Sequence, residues 1–180
     1  MPDAKPAPIL FFSPFVSSTM RVEPQWIDYN GHMNMAYYHV LFDRTVDEAF
    51  LVAGLGPDYV AETGKSFFAA EVHTSYRREL RPDDAVRVTL QLIDTDEKRI
   101  YAYLEIRHAT ESWLSATCEY MLLHVDLATK KVCPFPPEIQ ENLAVMRAAH
   151  GRLPTPPDLG RSIAMRRTEP APARVAGTRH

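Results

Sequence analysis

A seven-residue segment near the N-terminus concentrates the residue types that carry out chemistry. Residues 28–34 read Asp-Tyr-Asn-Gly-His-Met-Asn, which puts one carboxylate, one imidazole, two amides and a glycine within a short stretch. A carboxylate can act as a general base or as a nucleophile, and an imidazole can donate or accept a proton. A loop of this composition can position several reactive groups around one small substrate.

The helix predicted after this segment adds a second chemical property. Apolar side chains from Met35 to about Ala53 recur at helical spacing, and Gly54 is a residue type that ends helices. Asn34 would then cap the helix, and the unpaired N–H groups of its first turn would face a developing oxyanion. The segment therefore suits stabilisation of negative charge on a carbonyl oxygen.

A simpler interpretation of the same segment needs no chemistry. Asp28 and Asn30 can form an Asx turn, Gly31 can supply a positive φ angle, and Asn34 can act as a cap and nothing more. Residue types and spacing alone leave both interpretations open.

The remaining patterns predict an α+β domain. Residues 16–22 alternate between two faces and end before Pro24, which predicts a first strand. Four later stretches also alternate with a period of two and predict antiparallel strands: Phe67 to Leu80, Ala85 to Ile93, Arg99 to His108 and Leu114 to Val125. Turn-forming residues at 82–84 and 94–97 predict that these strands form consecutive hairpins. The sheet is expected to bury its apolar face against the helix.

The two ends of the chain differ in composition from the middle. Residues 1–15 form a proline-rich leader, and residues 16–127 form the predicted domain. Residues 128–150 are expected to be an extension that contains a short helix from Ile139 to Ala149, with prolines near its start. Residues 151–180 contain many Pro and Arg and are expected to form a flexible tail.

Composition and charge exclude several function classes. A chain of 180 residues that is 46% hydrophobic suits one domain. The net charge is −3, and five Arg against one Glu in residues 161–180 leave −7 for the first 160 residues. An acidic body argues against nucleic acid as the main partner. The apolar run at 9–12 is short and flanked by prolines, so no signal peptide or membrane span is expected.

The cysteines and histidines predict neither a disulfide framework nor a metal site. Cys118 and Cys133 are the two cysteines, with no short-spaced pair. His108 and His124 lack partners at metal-ligand spacing. A reducing, cytoplasmic location is expected.

The segment from Asp28 to Asn34, placed between a strand and a helix and followed by four strands, resembles the 4-hydroxybenzoyl-CoA thioesterase-like branch of the hotdog superfamily. Its Asn30-x-His32-x-Asn34 spacing is also similar to plant acyl-ACP thioesterases, and Trp26 to Asn34 is similar to thioesterases linked to carnitine and betaine metabolism. The resemblance covers about residues 16 to 127. It implies a helix wrapped by an antiparallel sheet, a homodimer or dimer of dimers with interfacial sites, and hydrolysis of an acyl-CoA thioester without metal or cofactor.

The resemblance also implies roles for individual residues. Asp28 matches the general base or nucleophile, and Gly31 and His32 match the turn that brings N–H groups to the carbonyl oxygen. Asn34 matches a position that orients water or caps the helix. Substrate contacts are expected from the adjoining Asn30, from Tyr37 on the helix, and from the second strand at His73, Thr74 and Ser75, although the polar face of that strand can equally be solvated. Arg77 and Arg78 are candidates for binding CoA phosphates.

Two other functions stay open on the sequence. A hotdog hydratase or dehydratase would have the same fold, but such enzymes usually carry Asp-x-x-x-x-His, whereas Asp28 and His32 are separated by three residues. The second alternative is a non-catalytic hotdog module that binds acyl-CoA, because a fold does not determine a function. The chain also departs from the family pattern at Met35, where a second Asn is common, and in the extension beyond Cys133.

Overall fold

The computed structural model of the protein describes residues 11–165, which form one antiparallel sheet and three helices. The strands are β1 Phe15–Val16, β2 Met20–Arg21, β3 Lys65–Tyr76, β4 Ala85–Thr95, β5 Arg99–His108, β6 Leu114–Asp126 and β7 Lys131–Val132. The helices are α1 Met35–Val52, α2 Pro57–Thr63 and α3 Pro137–His150. A 3₁₀ turn at Pro24–Trp26 leads into the loop before α1.

The sheet wraps around α1, as the α+β hotdog prediction requires. Buried side chains of α1 pack against the apolar face of β4, β5 and β6, whose alternate residues are almost completely buried. The helix begins where Asn34 caps it and ends near Gly54, whose φ angle is +90°. The stretches whose apolar residues alternate with a period of two are therefore strands, and the stretch whose apolar residues recur with a period of 3.6 is the helix.

The strand order differs from the predicted run of consecutive hairpins. The long strands lie in the order β4-β5-β6-β3, so β3 pairs with β6 and not with β4. Residues 77–84 cross from the β3 edge to β4 at the opposite edge, held by the N–H groups of Arg77 and Arg78 on the Ser115 carbonyl and by the buried Leu80. The predicted turn at 82–84 exists, but it enters β4 from this crossing.

The first strand is divided in two. β1 and β2 both pair with β4, and the chain between them shifts its facing residues, so that Ser17 is buried while Val16 is exposed. The Ser17 hydroxyl accepts the N–H of Val88, which explains why a polar residue turns inward here. The simple alternation predicted for 16–22 is therefore wrong at its N-terminal end.

Two helices complete the domain. α3, predicted at 139–149, packs Ile139, Leu143 and Met146 into the core beside β4. The short helix α2 has no buried residue and was not predicted; it follows α1 and leads into β3. Within the described residues, the longest helices are too short or too polar to cross a membrane.

Residues 151–160, expected to be flexible, lie against the outer face of the sheet. Asp158 accepts hydrogen bonds from the hydroxyl of Tyr103, from Arg77 at 2.7 Å and from Thr117 at 3.3 Å. The N–H of Gly160 donates to Glu119 at 3.0 Å. We call residues 151–165 the C-terminal strap. The expected tail at 166–180 and the leader residues 1–10 lie outside the described residues.

Candidate active site

The Asp28 to Asn34 loop is a closed turn at the N-terminus of α1. Ile27 and Met33 form an antiparallel bridge, and the N–H of Asp28 donates to the carbonyl of His32 at 3.0 Å. Gly31 has a φ angle of +80°, which L side chains rarely adopt. The Met33 N–H donates to the Leu80 carbonyl at 2.8 Å, which attaches the loop to the crossing segment. The loop is therefore fixed at both ends.

Asp28 has one oxygen engaged and one available. Its Oδ1 accepts the N–H of Asn30 at 2.8 Å, as in the predicted Asx turn. Its Oδ2 has no hydrogen-bond partner within residues 11–165, and the residue is half-buried. The turn thus orients the carboxylate and leaves one oxygen free to accept a proton.

Some backbone N–H groups near Asp28 donate hydrogen bonds within the protein, and others have no partner among the described residues. The N–H of Gly31 donates to the Asp28 carbonyl at 3.0 Å, so this group serves the turn and not an oxyanion. Those of His32 and Met35 have no partner among the described residues. Met35 opens α1, where the helix dipole favours negative charge. The structure therefore offers His32 and Met35 as oxyanion donors, in place of Gly31.

Asn34 caps the helix as predicted. Its Oδ1 accepts the N–H of Ala36 at 3.0 Å, and its own N–H donates to the Trp26 carbonyl at 2.9 Å. Its side-chain NH₂ group has no partner within residues 11–165. Asn34 can therefore cap the helix and still orient a water molecule, so the two roles predicted for it are compatible.

The side chains of His32, Tyr37 and Asn30 take less part in the hydrogen bonds of the loop than those of Asp28 and Asn34. His32 lies 3.8 Å from Glu79 with both side chains largely exposed, a pair that contributes little in water. Tyr37 stacks on Trp26 with ring centroids 5.3 Å apart, so its ring has a packing role, and its predicted contact with substrate stays a prediction. Asn30 contributes its backbone to the Asx turn, and its side chain is exposed.

The three candidate residues on β3 do not share a face. His73 and Ser75 pair with Glu119 and Thr117 on the outer side of the sheet, away from α1. Thr74 lies on the α1 side, 3.0 Å from the buried Cys118 sulfur. They form no hydrogen bond or ion pair with the Asp28 loop of the same protomer, so their role as substrate contacts stays a prediction.

The two candidate phosphate ligands already have partners. Arg77 forms an ion pair with Asp158 at 2.7 Å, and Arg78 lies 4.1 Å over the ring of Trp113. The strap therefore occupies the Arg77 guanidinium, which the sequence could not indicate because the two residues are 81 positions apart. Arg78 keeps N–H groups that the ring does not use, so it stays a candidate.

Sequence reasoning missed a cavity of about 450 Å³ between α1, α2 and β3. Its walls are mostly apolar and aromatic, and three carboxylates of α1, from Asp43, Asp47 and Glu48, stand at its edge. The sequence did contain a pattern that pointed to this cavity, the acidic residues at helical spacing on α1, but such acidic residues usually face solvent. No group of three or more His, Cys, Asp or Glu in residues 11–165 is arranged to bind a metal ion.

A single helix wrapped by this antiparallel sheet, with a polar loop at the helix N-terminus, defines a hotdog-fold protein. A structure of a Staphylococcus aureus protein in complex with CoA superposes with a TM-score of 0.80 and 27% identity, covering 89% of this chain and 100% of that one. The family model of the thioesterase-like superfamily matches residues 22–143. The chain belongs to this superfamily, as the resemblance in its sequence predicted.

Curated relatives narrow the comparison. A betainyl-CoA thioesterase of Pseudomonas aeruginosa is 32% identical over 80% of this chain and 91% of its own length. An L-carnitine dehydrogenase/betainyl-CoA thioesterase of Rhizobium meliloti is 37% identical over 82% of this chain, which spans 29% of that protein. These relatives support the predicted thioesterase class.

Proposed function

We propose that this protein hydrolyses an acyl-CoA thioester, with Asp28 as the catalytic carboxylate. The observation that carries the proposal is the Asp28 loop, in which one carboxylate oxygen and the N–H groups of His32 and Met35 have no partner among the described residues. Membership of the thioesterase-like superfamily and the likeness to a protein solved with CoA support the choice of substrate class.

The proposed reaction needs water and the chain's own groups, with no bound cofactor. Asp28 takes a proton from a water molecule, whose oxygen bonds to the thioester carbon while the carbonyl electrons move to oxygen. The N–H groups of His32 and Met35 stabilise this oxyanion. The intermediate then collapses, the carbon–sulfur bond breaks, and the CoA thiolate takes the proton held by Asp28. Direct attack by Asp28 is the alternative: its oxygen bonds to the thioester carbon, the carbon–sulfur bond breaks with release of the CoA thiolate, and water hydrolyses the resulting anhydride, giving one proton to the thiolate.

The proposed substrate is a betainyl thioester. The Rhizobium meliloti relative has two activities in its name, but this chain matches only 29% of it. The Pseudomonas aeruginosa relative is named for thioester hydrolysis alone and is covered over 91% of its length. The shared region therefore corresponds to the hydrolase, and betainyl-CoA is the first substrate to test.

The proposed working form is a homodimer joined through β3. This strand has 12 residues, and within residues 11–165 it pairs on one side only, with β6. Val72 and Tyr76 on it are 40% and 44% exposed, although both are large and apolar. Long free edges of this kind favour pairing with another strand. The two cysteines are free thiols, which fits a reducing compartment such as the cytoplasm.

The test of the proposed function is thiol release from a panel of acyl-CoAs by the native protein and by Asp28→Asn. The substitution keeps the Oδ1 acceptor of the Asx turn but removes the charge, so we expect a rate loss of about a hundredfold or more. Asp126→Asn is the matched control, because Asp126 also accepts a turn N–H, from Thr129 at 2.7 Å, and lies at the end of β6. The control should release thiol at the native rate.

Three results would contradict the proposal. Equal rates for the native protein and Asp28→Asn would remove Asp28 from the mechanism. Hydration of crotonyl-CoA without thiol release from any member of the panel would identify a hydratase, and binding of acyl-CoA without either reaction would identify a non-catalytic module.

A further inference from the structure

The cavity between α1, α2 and β3 combines apolar walls with uncompensated negative charge. Aromatic and aliphatic side chains line it, among them Leu51, Tyr59 and Phe67, and among the described residues no Lys, Arg or His does. A volume of about 450 Å³ is within the range of small-ligand sites. The negative charge at the edge of the cavity therefore favours a ligand that carries a positive charge.

The three carboxylates at the edge of the cavity are not equivalent. Glu48 accepts hydrogen bonds from the N–H and the hydroxyl of Ser18, so it serves to hold the chain between β1 and β2. Asp43 and Asp47, one helical turn apart, have neither a hydrogen bond nor an ion pair within residues 11–165. Both side chains are exposed, but partial desolvation, reinforced by the neighbouring Asp43, raises the pKa of Asp47 above its usual value. This pair lacks a positive partner.

A quaternary ammonium group matches these properties. It carries a positive charge, has no N–H to donate, and is surrounded by methyl groups that pack on apolar and aromatic surfaces. A primary amine or a guanidinium would instead require acceptors at hydrogen-bonding distance from several of its protons. The cavity offers two aromatic side chains, Tyr59 and Phe67, and two carboxylates on one helix face, which is a combination that suits a trimethylammonium group.

Within one protomer the cavity is too far from Asp28 to serve it. Asp43 follows Asn34 by nine residues, or about 14 Å along the helix axis at 1.5 Å per residue. In a betainyl thioester a single methylene separates the cation from the carbonyl carbon. The cation of a substrate at Asp28 therefore cannot reach the cavity of the same chain.

Pairing of two β3 strands would remove this distance. The Tyr76 end of β3 contacts the start of α1, where the Tyr38 and Tyr76 rings are 5.0 Å apart, and the Phe67 end contacts the end of α1, where the Phe50 and Phe67 rings are 5.6 Å apart. A two-fold axis pairs the strands antiparallel and sets the Tyr76 end of one beside the Phe67 end of the other. In such a pair, the end of α1 that carries the Asp28 loop in one copy lies toward the second half of α1 in the other copy, which lines the cavity.

We propose that the cavity of one protomer binds the quaternary ammonium of the acyl group while Asp28 of the other acts on its thioester carbonyl, with Asp43 and Asp47 as the determinants of specificity. The proposal rests on the proposed thioesterase function and on the proposed dimer. It makes each site a composite of two copies.

The first experiment compares two thioesters of the same shape and different charge. Betainyl-CoA and 3,3-dimethylbutyryl-CoA differ by replacement of the quaternary nitrogen with carbon. We expect the native protein to prefer betainyl-CoA, and Asp43→Asn/Asp47→Asn to lower kcat/KM for betainyl-CoA by at least about tenfold. The value for the neutral thioester should stay the same or rise. Glu62→Gln, on α2 but outside the cavity lining, is the matched control and should keep the native preference.

The outcomes separate the two proposals. Failure of the native protein to hydrolyse any acyl-CoA would overturn the proposed function. Hydrolysis of betainyl-CoA with an unchanged preference in Asp43→Asn/Asp47→Asn, or equal losses on both thioesters, would overturn the cation site alone. Because neither aspartate has a partner to lose, the variant should melt at or above the native temperature, and the single variants give the same comparison if it does not.

The second experiment tests the composite site by complementation. Asp28→Asn and Asp43→Asn/Asp47→Asn are co-expressed with different tags, and the mixed dimer is purified through both. A composite site predicts one intact site per mixed dimer, so betainyl-CoA hydrolysis should return to about half of the native rate per dimer. Hydrolysis at or below the mean of the two parent homodimers would show that Asp28 and the cavity of one chain act together, and would overturn the proposal.

Discussion

Asn34 caps α1, and its second predicted role, the orientation of water, can be separated from the cap by substitution. Its Oδ1 caps α1 through the Ala36 N–H, whereas its NH₂ group faces no partner in residues 11–165. Asn34→Ala should lower the free energy of unfolding by about 1 kcal/mol, measured by urea denaturation, because the cap is lost. Asn34→Asp should keep the stability, because aspartate also caps.

Rates measured on the same two variants show whether the NH₂ group orients water. If it does, Asn34→Asp should lose thiol release at native stability. A native rate for this variant would restrict Asn34 to the cap.

The local geometry of the loop could be predicted from the sequence because each part depends on near neighbours. The Asx turn at Asp28, the positive φ angle at Gly31 and the Asn34 cap all arise within a few residues. The ion pair of Arg77 with Asp158 depends on how segments far apart in the sequence pack together, so no sequence pattern predicted it. The use of the Gly31 N–H inside the turn also became visible only in the structure.

Elements were easier to predict than their arrangement. β5 at Arg99–His108 has the predicted bounds, and the other long strands begin or end within a few residues of theirs. Pairing of β3 with β6 was not predictable from alternation, because every strand of this sheet has the same period and several partners would bury its apolar face. The hotdog resemblance indicated the fold but not this register.

His150 connects α3 with β4 and with the segment before β1, and it should make the free energy of unfolding depend on pH. The N–H of Leu92 donates to its Nδ1 at 2.8 Å, and its Nε2 donates to the Phe12 carbonyl at 2.7 Å. Burial lowers the pKa of His150 below its usual 6.5, although the Phe12 hydrogen bond opposes this. Below about pH 6.5 the His150 side chain is therefore protonated more in the unfolded chain than in the folded one. Its contribution to the free energy of unfolding is complete above about pH 6.5 and falls as the pH decreases.

The measurement is urea unfolding at several values between pH 5 and 8. The slope that His150 contributes is at most about 1.4 kcal/mol per pH unit. His150→Gln offers one acceptor and one donor without titrating, so its slope should be smaller. Some slope should remain, because burial also lowers the pKa of His124. A native slope in His150→Gln would assign the dependence to other groups.

At the scale of the whole molecule, the free β3 edge predicts how two copies associate. Val72→Lys should place a charge at the proposed interface and shift the protein toward monomers in sedimentation velocity, with a matching loss of thiol release. Val132→Lys on β7 is the control, because Val132 is 45% exposed and Val72 is 40% exposed. Dimers that persist in Val72→Lys with native activity would place the interface elsewhere.

The C-terminal strap has a consequence for how far such association can continue. The inner face of the sheet holds α1, and Asp158 and Gly160 hold the strap against the outer face at Tyr103 and Glu119. Opposite β3, the edge carries, among the described residues, only the two-residue strands β1 and β2. A copy that adds strand to strand along β3 uses the long free edge of both partners. Growth by this contact therefore closes at two copies and does not continue into an open filament.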